Sequence, residues 1–547
     1  MNEHHLGKGG DFVQTQQPPA AAETDCEVAV VGAGPVGMTA AALLAARGVH
    51  VVVLEREPRT SDEPKAISID DEALRVYQSA GLAGRLLRII VPGTGTRYYD
   101  ATGRPVFHAG SPWPFRHGYP FKNPFAQPDL ERELHGHLVE APGAEVRMST
   151  TVTGLAGCPD GRTGLRCRQD DGTTSLVRAR YVLGCDGGRS TVRELLGIGM
   201  TGRSHDEVWL VADVLGDHHD QRYGMHHGDP ARPHVIVPGR DGRCRYEFLL
   251  HPGEGSPGQR PDFALVRRLL APYRDITPGQ VERAVNYRFN AVVADRWRDG
   301  AVFLLGDAAH MMPPFAGQGL NSGVRDAANL AWKIADVLAG RLGESALDTY
   351  ETERRPHVEA TVRLSARLGR VVMTTSPRLA RQRDRLIAAA MRTEHGRAYF
   401  EHMRYRPPHV YTEGLLAGEP GLAGRMIGQP RVFDTAAHRI RLLDEVLGTG
   451  WALLGVGVDP GEAAALAGPL APAVAEVAVD DRMPSIRGHR VLVDVDGGLD
   501  AELAGYRGRV VLLRPDRFVA AAWRPAEPPA LAGPLRLARR PVPEPVA

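Results

Sequence analysis

The sequence predicts an α/β protein of several domains, and three observations carry that reading. The chain has 547 residues, more than one hydrophobic core usually serves. Residues 28–56, VAVVGAGPVGMTAAALLAARGVHVVVLER, run strand, glycine turn, helix, strand. Residues 179–198 and 298–340 each repeat a passage from an apolar strand through a glycine-bearing turn into a helix.

Composition narrows the class. With 43% hydrophobic and 24% charged residues the chain reads as an ordinary globular protein. A formal net charge of +1 gives no field for nucleic acid or an anionic membrane. The five cysteines, Cys26, Cys158, Cys167, Cys185 and Cys244, are scattered and form no C-x-x-C. That pattern suits a reducing cytoplasm and provides neither a disulfide framework nor a zinc site. No H-x-x-H or H-E-x-x-H appears, so no metal is expected.

The elements follow in order. Residues 1–24 are polar, rich in Gln, Pro and Ala, and lack an apolar core behind a basic start. They read as a disordered tail and not a signal peptide. In the opening turn Gly32, Gly34 and Gly37 match G-x-G-x-x-G. The first glycine permits the tight turn, the second lets backbone approach a pyrophosphate, and the third lets helix and strand pack closely. The helix start, at Pro35 and Val36, offers unpaired N–H groups and a positive dipole end. Gly48 is a plausible C-cap. Glu55 ends the second strand where a carboxylate reaches adenosine ribose hydroxyls. A dinucleotide site is the expectation, whether for FAD or NAD.

Residues 111–125, SPWPFRHGYPFKNPF, concentrate aromatics and prolines in a chain that is 6% aromatic. They either wall an aromatic pocket or form a loop that buries itself. In residues 179–198 Asp186 and Gly187 occupy the turn, and Ser190 is placed to cap the next helix. Alternation in residues 243–248, RCRYEF, puts Arg243, Arg245 and Glu247 on one face and Cys244, Tyr246 and Phe248 on the other. Which face meets a cavity stays open. In residues 298–340 a buried strand ends at Gly306 and Asp307, and a Pro/Gly loop leads to a helix from Gly319. Leu320, Val324, Ala327, Leu330, Ala331, Ile334 and Leu338 form its apolar face. Asp307 is placed to accept from a polyol, and Gly317, Gly319 and Leu320 let backbone approach a flat ring.

Residues 404–421 are polar and read as a linker. Residues 451–468 hold Gly455, Gly457 and Gly461 between a strand and a helix, with Asp480 closing the next strand. That imitates a second dinucleotide turn. Its glycine spacing is one residue too long, and about 120 residues leave little room for a second doubly wound domain.

The three glycine-bearing motifs together resemble those of the class A flavoprotein monooxygenases, the para-hydroxybenzoate hydroxylase fold. Residues 64–82, 123–138 and 233–254 are similar to the subgroup of 3-(3-hydroxyphenyl)propionate hydroxylase and its polyketide-oxidising relatives. The resemblance implies an FAD-binding Rossmann-like domain over 25–200 and 285–405, with substrate-domain segments interleaved at about 85–130. It implies an inserted mixed β-sheet substrate domain over 201–284. Residues 406–547 would be a thioredoxin-like domain without redox cysteines.

The same resemblance implies cofactor contacts from Gly32, Gly34, Pro35, Val36, Gly37, Glu55 and Arg56. Gln127, Arg132, Asp186, Gly306, Asp307, Pro313, Gly317, Gly319, Leu320 and Asn321 complete the set. It implies FAD and NAD(P)H as cofactors, O2 as co-substrate, and hydroxylation of a phenolic or polyketide-like aromatic through a flavin C4a-hydroperoxide. Oxygen insertion beside a ketone on the same fold, or a degenerate ligand-binding protein, are the alternatives. The expected enzyme is a cytoplasmic monomer or homodimer without nucleic-acid or membrane partners. The catalytic acid–base group is unassigned, with Tyr223, His227, Arg245 and Tyr246 as candidates. His310 is expected to support the loop after Asp307.

Overall fold

A computed structural model describes residues 22–419, 421–479 and 490–529. Asp480 and the final residues therefore lie outside the described residues. The first strand, β1, spans Ala22–Val31, so it opens inside the segment read as a tail. Helix α1 covers Pro35–Ala45 and β2 covers Val51–Leu54. Every residue of β2 is buried, as a parallel strand covered on both faces requires.

β1 is the centre of the first sheet. It pairs in parallel with β2 on one side and with Thr174–Gly184 on the other. Val302–Leu304 and Ala144–Arg147 extend the sheet outward, again in parallel. The carboxyl ends of β1, Thr174–Gly184 and Val302–Leu304 thus lie side by side. All three sequence motifs begin there. Ligands of open parallel sheets bind at such an edge. Ser190 caps its helix by accepting from the Arg193 N–H, and the third motif's helix spans Gly319–Leu338.

The second sheet has eight strands. Its core is the long pair Met200–Val214 and Val281–Ala294, followed by Cys244–Leu249, His234–Pro238 and Gly224–His227. Thr96–Tyr99 then joins Gly224–His227 in parallel, drawing in a segment more than a hundred residues upstream. Helix Phe263–Leu270 packs on one face, where Cys244, Tyr246 and Phe248 form the core. The other face looks toward the first sheet.

The third sheet is mixed, with seven strands between residues 431 and 523. It docks on the first lobe through Trp332, whose ring meets Trp451 edge-on at 5.3 Å between centroids. Beneath that contact Glu353 receives Lys333 at 2.7 Å and Arg514 at 2.7 Å, all three fully buried. Within the segment read as a linker, residues 404–419 form a packed strap: Tyr411 and Leu415 are buried despite the polar composition. Among the described residues no helix is long and apolar enough to cross a membrane.

Candidate active site

Two adjoining cavities, of about 610 and 590 Å³, meet at Gly34, Arg56, Gln127, Asp186 and Arg189. The first lies over the opening turn. Gly32 sits at φ 102°, and a Cβ there would lie 2.6 Å from the Cys185 carbonyl oxygen. The β1 end and the Asp186 turn therefore touch through backbone alone. A Cβ on Gly34 would meet nothing within 4 Å, so that residue borders open space. Glu55 accepts the Ala33 N–H at 2.7 Å and the Glu57 N–H at 2.9 Å, which fixes its carboxylate at the cavity rim. The Asp186 carboxylate accepts the Val192 N–H with one oxygen, and its other oxygen is buried without a partner.

The second cavity runs between the first sheet's edge and the second sheet. Pro35, Val36, Asp307, Gly317, Gly319 and Leu320 form its floor. Asp307 makes no hydrogen bond with any described residue, so its carboxylate is free to accept. Its loop is tied from behind: Asp326 accepts the Gly306 N–H at 3.1 Å, His310 Nε2 at 2.7 Å and Arg354 at 2.9 Å. His310 is thus a buried support of the loop. Arg354 continues to His409, His409 to Glu72, and Glu72 to Arg325, which also pairs with Asp70. Asn321 donates to the Gly317 and Ser68 carbonyls and accepts from the Asp70 N–H.

The chain matches the family model described as FAD binding domain over residues 25–365, and the HcaD C-terminal domain over residues 424–538. It is 40% identical over 445 residues to a 3-(3-hydroxy-phenyl)propionate/3-hydroxycinnamic acid hydroxylase of Mycobacterium sp. (strain JLS), covering 79% of this chain and 76% of the relative. A second protein so named, from Burkholderia vietnamiensis, is 38% identical over 512 residues, 90% of this chain and 93% of its own. Among solved structures, OxyS anhydrotetracycline hydroxylase from Streptomyces rimosus superposes with a TM-score of 0.70 at 26% identity, covering 92% of this chain and 96% of that one.

The chain belongs to the FAD-binding domain family.

As a member of that family it is a flavoprotein oxidoreductase, and the cavities suit FAD. The turn at Gly34 leaves room for a pyrophosphate against the α1 N-terminus. Glu55 is held at the rim of the first cavity, and Asp307 presents an unpartnered carboxylate to the second. Gln127 lines both cavities while accepting the Ala66 N–H at 2.8 Å and donating to Glu131 at 2.7 Å.

Several expected residues stand elsewhere. Arg132 is half exposed on helix Gln127–Glu140, paired with Asp129 and 3.9 Å from Asp62, which lines the first cavity. Pro313 and Asn321 shape the loop from behind and do not line the cavities. Gly37 serves helix packing, since a Cβ there would overlap the Gly32 carbonyl.

The acid–base candidates also need correction. Tyr246 faces helix Phe263–Leu270 and donates to Asp217 at 2.7 Å, so it lies on the core side of the sheet. His227 is on that side too, stacked between Tyr99 and His234. Tyr223 is occupied by Arg97, which donates to it at 2.9 Å. Arg245 does line the second cavity, but two of its nitrogens hold Asp213 at 2.7 and 2.9 Å and another donates to the Lys65 carbonyl. The face of Arg245 and Glu247 is thus the cavity face, buried and not solvated. Asp217, His219 and Cys244 come together on the core side. Tyr246 and Arg274 already engage Asp217 there, and burial pushes the Cys244 thiol up.

Sequence reasoning missed Lys122, His226, Phe315 and Gln318, all of which line the second cavity. His226 was one residue away from a named candidate. Strand alternation puts the two neighbouring histidines on opposite faces.

Proposed function

We propose that this chain is an NAD(P)H-dependent FAD monooxygenase that hydroxylates a phenolic aromatic with O2. The observation that carries the reading is the junction of the two cavities. A backbone-built phosphate cradle opens, past Asp186 and Gln127, into a chamber walled by Val235, Val237, Met312 and Phe315. Bound FAD, reduced by NAD(P)H, would supply the oxygen-activating chemistry there, and the protein supplies position, dryness and electrostatics.

Each residue has a part in this. Glu55 would accept the ribose hydroxyls and Asp307 a ribityl hydroxyl. The start of helix Gly319–Leu338 turns unpaired N–H groups and its positive dipole end toward the electron-rich edge of a flat ring. Phe315, Val235 and Val237 would keep water from the ring face of a bound flavin, as oxygen-activating chemistry there requires. The two curated relatives are named for phenylpropanoid acids and OxyS for a polyketide. Both are electron-rich aromatics, which supports that substrate class. The cysteines are all free, which supports a cytoplasmic setting; a monomer or homodimer completes the reading.

The test is NAD(P)H oxidation with O2 uptake against hydroxyphenylpropanoids and polyketide phenols. A coupled hydroxylated product carrying label from dioxygen is expected; peroxide alone with every compound would refute the proposal. Asp307→Ala should purify with FAD affinity weakened about 10- to 100-fold, read by the flavin absorbance of the isolated protein.

A further inference from the structure

Two cations that line the chamber, Lys122 and Arg189, make no hydrogen bond or ion pair with any described residue; Arg189 stands at the junction with the first cavity, Lys122 deeper, beside Gly317. Arg245 is saturated by Asp213 and two backbone carbonyls. The Lys122 backbone lies at φ 61°, a left-handed conformation that L side chains rarely adopt. That conformation aims its side chain at the flavin-side loop. Gly317 makes the space: a Cβ there would lie 2.9 Å from the Lys122 Nζ. Phe315 and Gln318 border it in the same chamber.

His226 also lines the chamber and has no hydrogen-bond partner among the described residues. Burial, with added repulsion from Lys122 and His227, pushes its imidazole down to about 3, so it is neutral at physiological pH. Burial and the nearby Arg406 push Lys122 down to about 8, against the pull of Asp70. An unpaired ammonium in a half-dry wall is costly unless an anion meets it. A charge-assisted hydrogen bond from an oxyanion satisfies that need directly.

We propose that Lys122, with His226 beside it, forms the subsite that binds an anionic oxygen of the aromatic substrate, a carboxylate or a phenolate. This rests on the aromatic-hydroxylase reading and deepens it. Lys122 is then a specificity residue, and a neutral aromatic of the same shape binds worse. The neutral imidazole accepts a hydrogen bond from an adjacent hydroxyl without competing for the anion.

The experiment is calorimetric titration of the FAD-loaded protein with 3-(3-hydroxyphenyl)propionate, its amide and its methyl ether, for wild type, Lys122→Met and Lys122→Arg. If the anion is a carboxylate, K122M weakens the acid by about 10- to 100-fold and leaves the amide unchanged. If it is a phenolate, K122M instead removes the preference for the phenol over the methyl ether and the ultraviolet phenolate band of the bound ligand. K122R keeps wild-type preference in either case. K122M and wild type binding all three compounds alike, both with full FAD, overturns the subsite alone. A wild type that binds none of these and oxidises NAD(P)H no faster with any aromatic overturns the proposed function and the subsite with it. If K122M purifies without FAD, Lys122→Gln carries the same comparison.

Discussion

Two of this molecule's strand-to-helix turns set a glycine in opposite surroundings. At Gly34 a missing side chain faces empty space, and the turn is rimmed by Glu55 and Asp186. At Gly455 the missing side chain is filled by the protein itself, since a Cβ there would overlap the Val458 carbonyl oxygen and lie 2.8 Å from Pro460. The strands differ as well. β1 lies between two parallel neighbours, whereas Ala452–Val456 has one parallel and one antiparallel neighbour. Glycine spacing marks a place where backbones approach closely. What approaches, ligand or protein, is decided by the space beyond.

The comparison makes the second lobe a docked body whose Gly455 turn is filled by its own backbone. The largest effect should come from breaking the dock. Burial would raise the Glu353 carboxyl, but the Arg514 guanidinium and Lys333 ammonium outweigh it and hold the group well below the usual carboxylate range. Stability from this pair is therefore present above the unfolded carboxylate value, about pH 4.3. It is lost as pH falls through the lower folded value. Glu353→Gln should cost about 3–5 kcal/mol by leaving buried Lys333 without its carboxylate, while Arg514 keeps Asp516. Denaturant melts of the variant should show less loss on acidification than wild type below about pH 4. Equal acid sensitivity in both would break the account.

Next comes the open turn. Gly34→Ala should leave the melting temperature of the FAD-free protein unchanged, because no atom stands in the way. It should weaken FAD binding about 100-fold by blocking backbone approach to the pyrophosphate. Flavin fluorescence titration measures this, and unaltered affinity would remove the distinction between the turns. The smallest effect is the mirror image. Gly455→Ala should destabilise the second lobe by about 1–3 kcal/mol through overpacking, seen as a lower melting temperature, with FAD content untouched.

Legibility followed locality. The β1–α1–β2 unit, the Ser190 cap and helix Gly319–Leu338 could be read because strand and helix periods, glycine and cap chemistry all act within a few residues. The strap around Tyr411 was misread because polar composition says nothing of what a distant lobe packs onto it. The cavity face of Cys244–Leu249 was undecidable for the same reason. It depends on helix Phe263–Leu270 covering the opposite face. Lys122 and His226 line one cavity although they lie about a hundred residues apart, a proximity that no local pattern records.

The chain of charges from Asp326 through Arg354, His409, Glu72 and Arg325 to Asp70 has a consequence for anyone recombining this enzyme. Its middle link, His409, belongs to the strap leading into the second lobe, so the two lobes are not interchangeable cassettes. A chimera joined upstream of His409 would leave Arg354 and Glu72 each short of a partner within the wall that braces the Asp307 loop. Splicing downstream of Leu415 keeps that circuit whole, and a transplanted lobe must still supply an arginine to Glu353 and a tryptophan to Trp332.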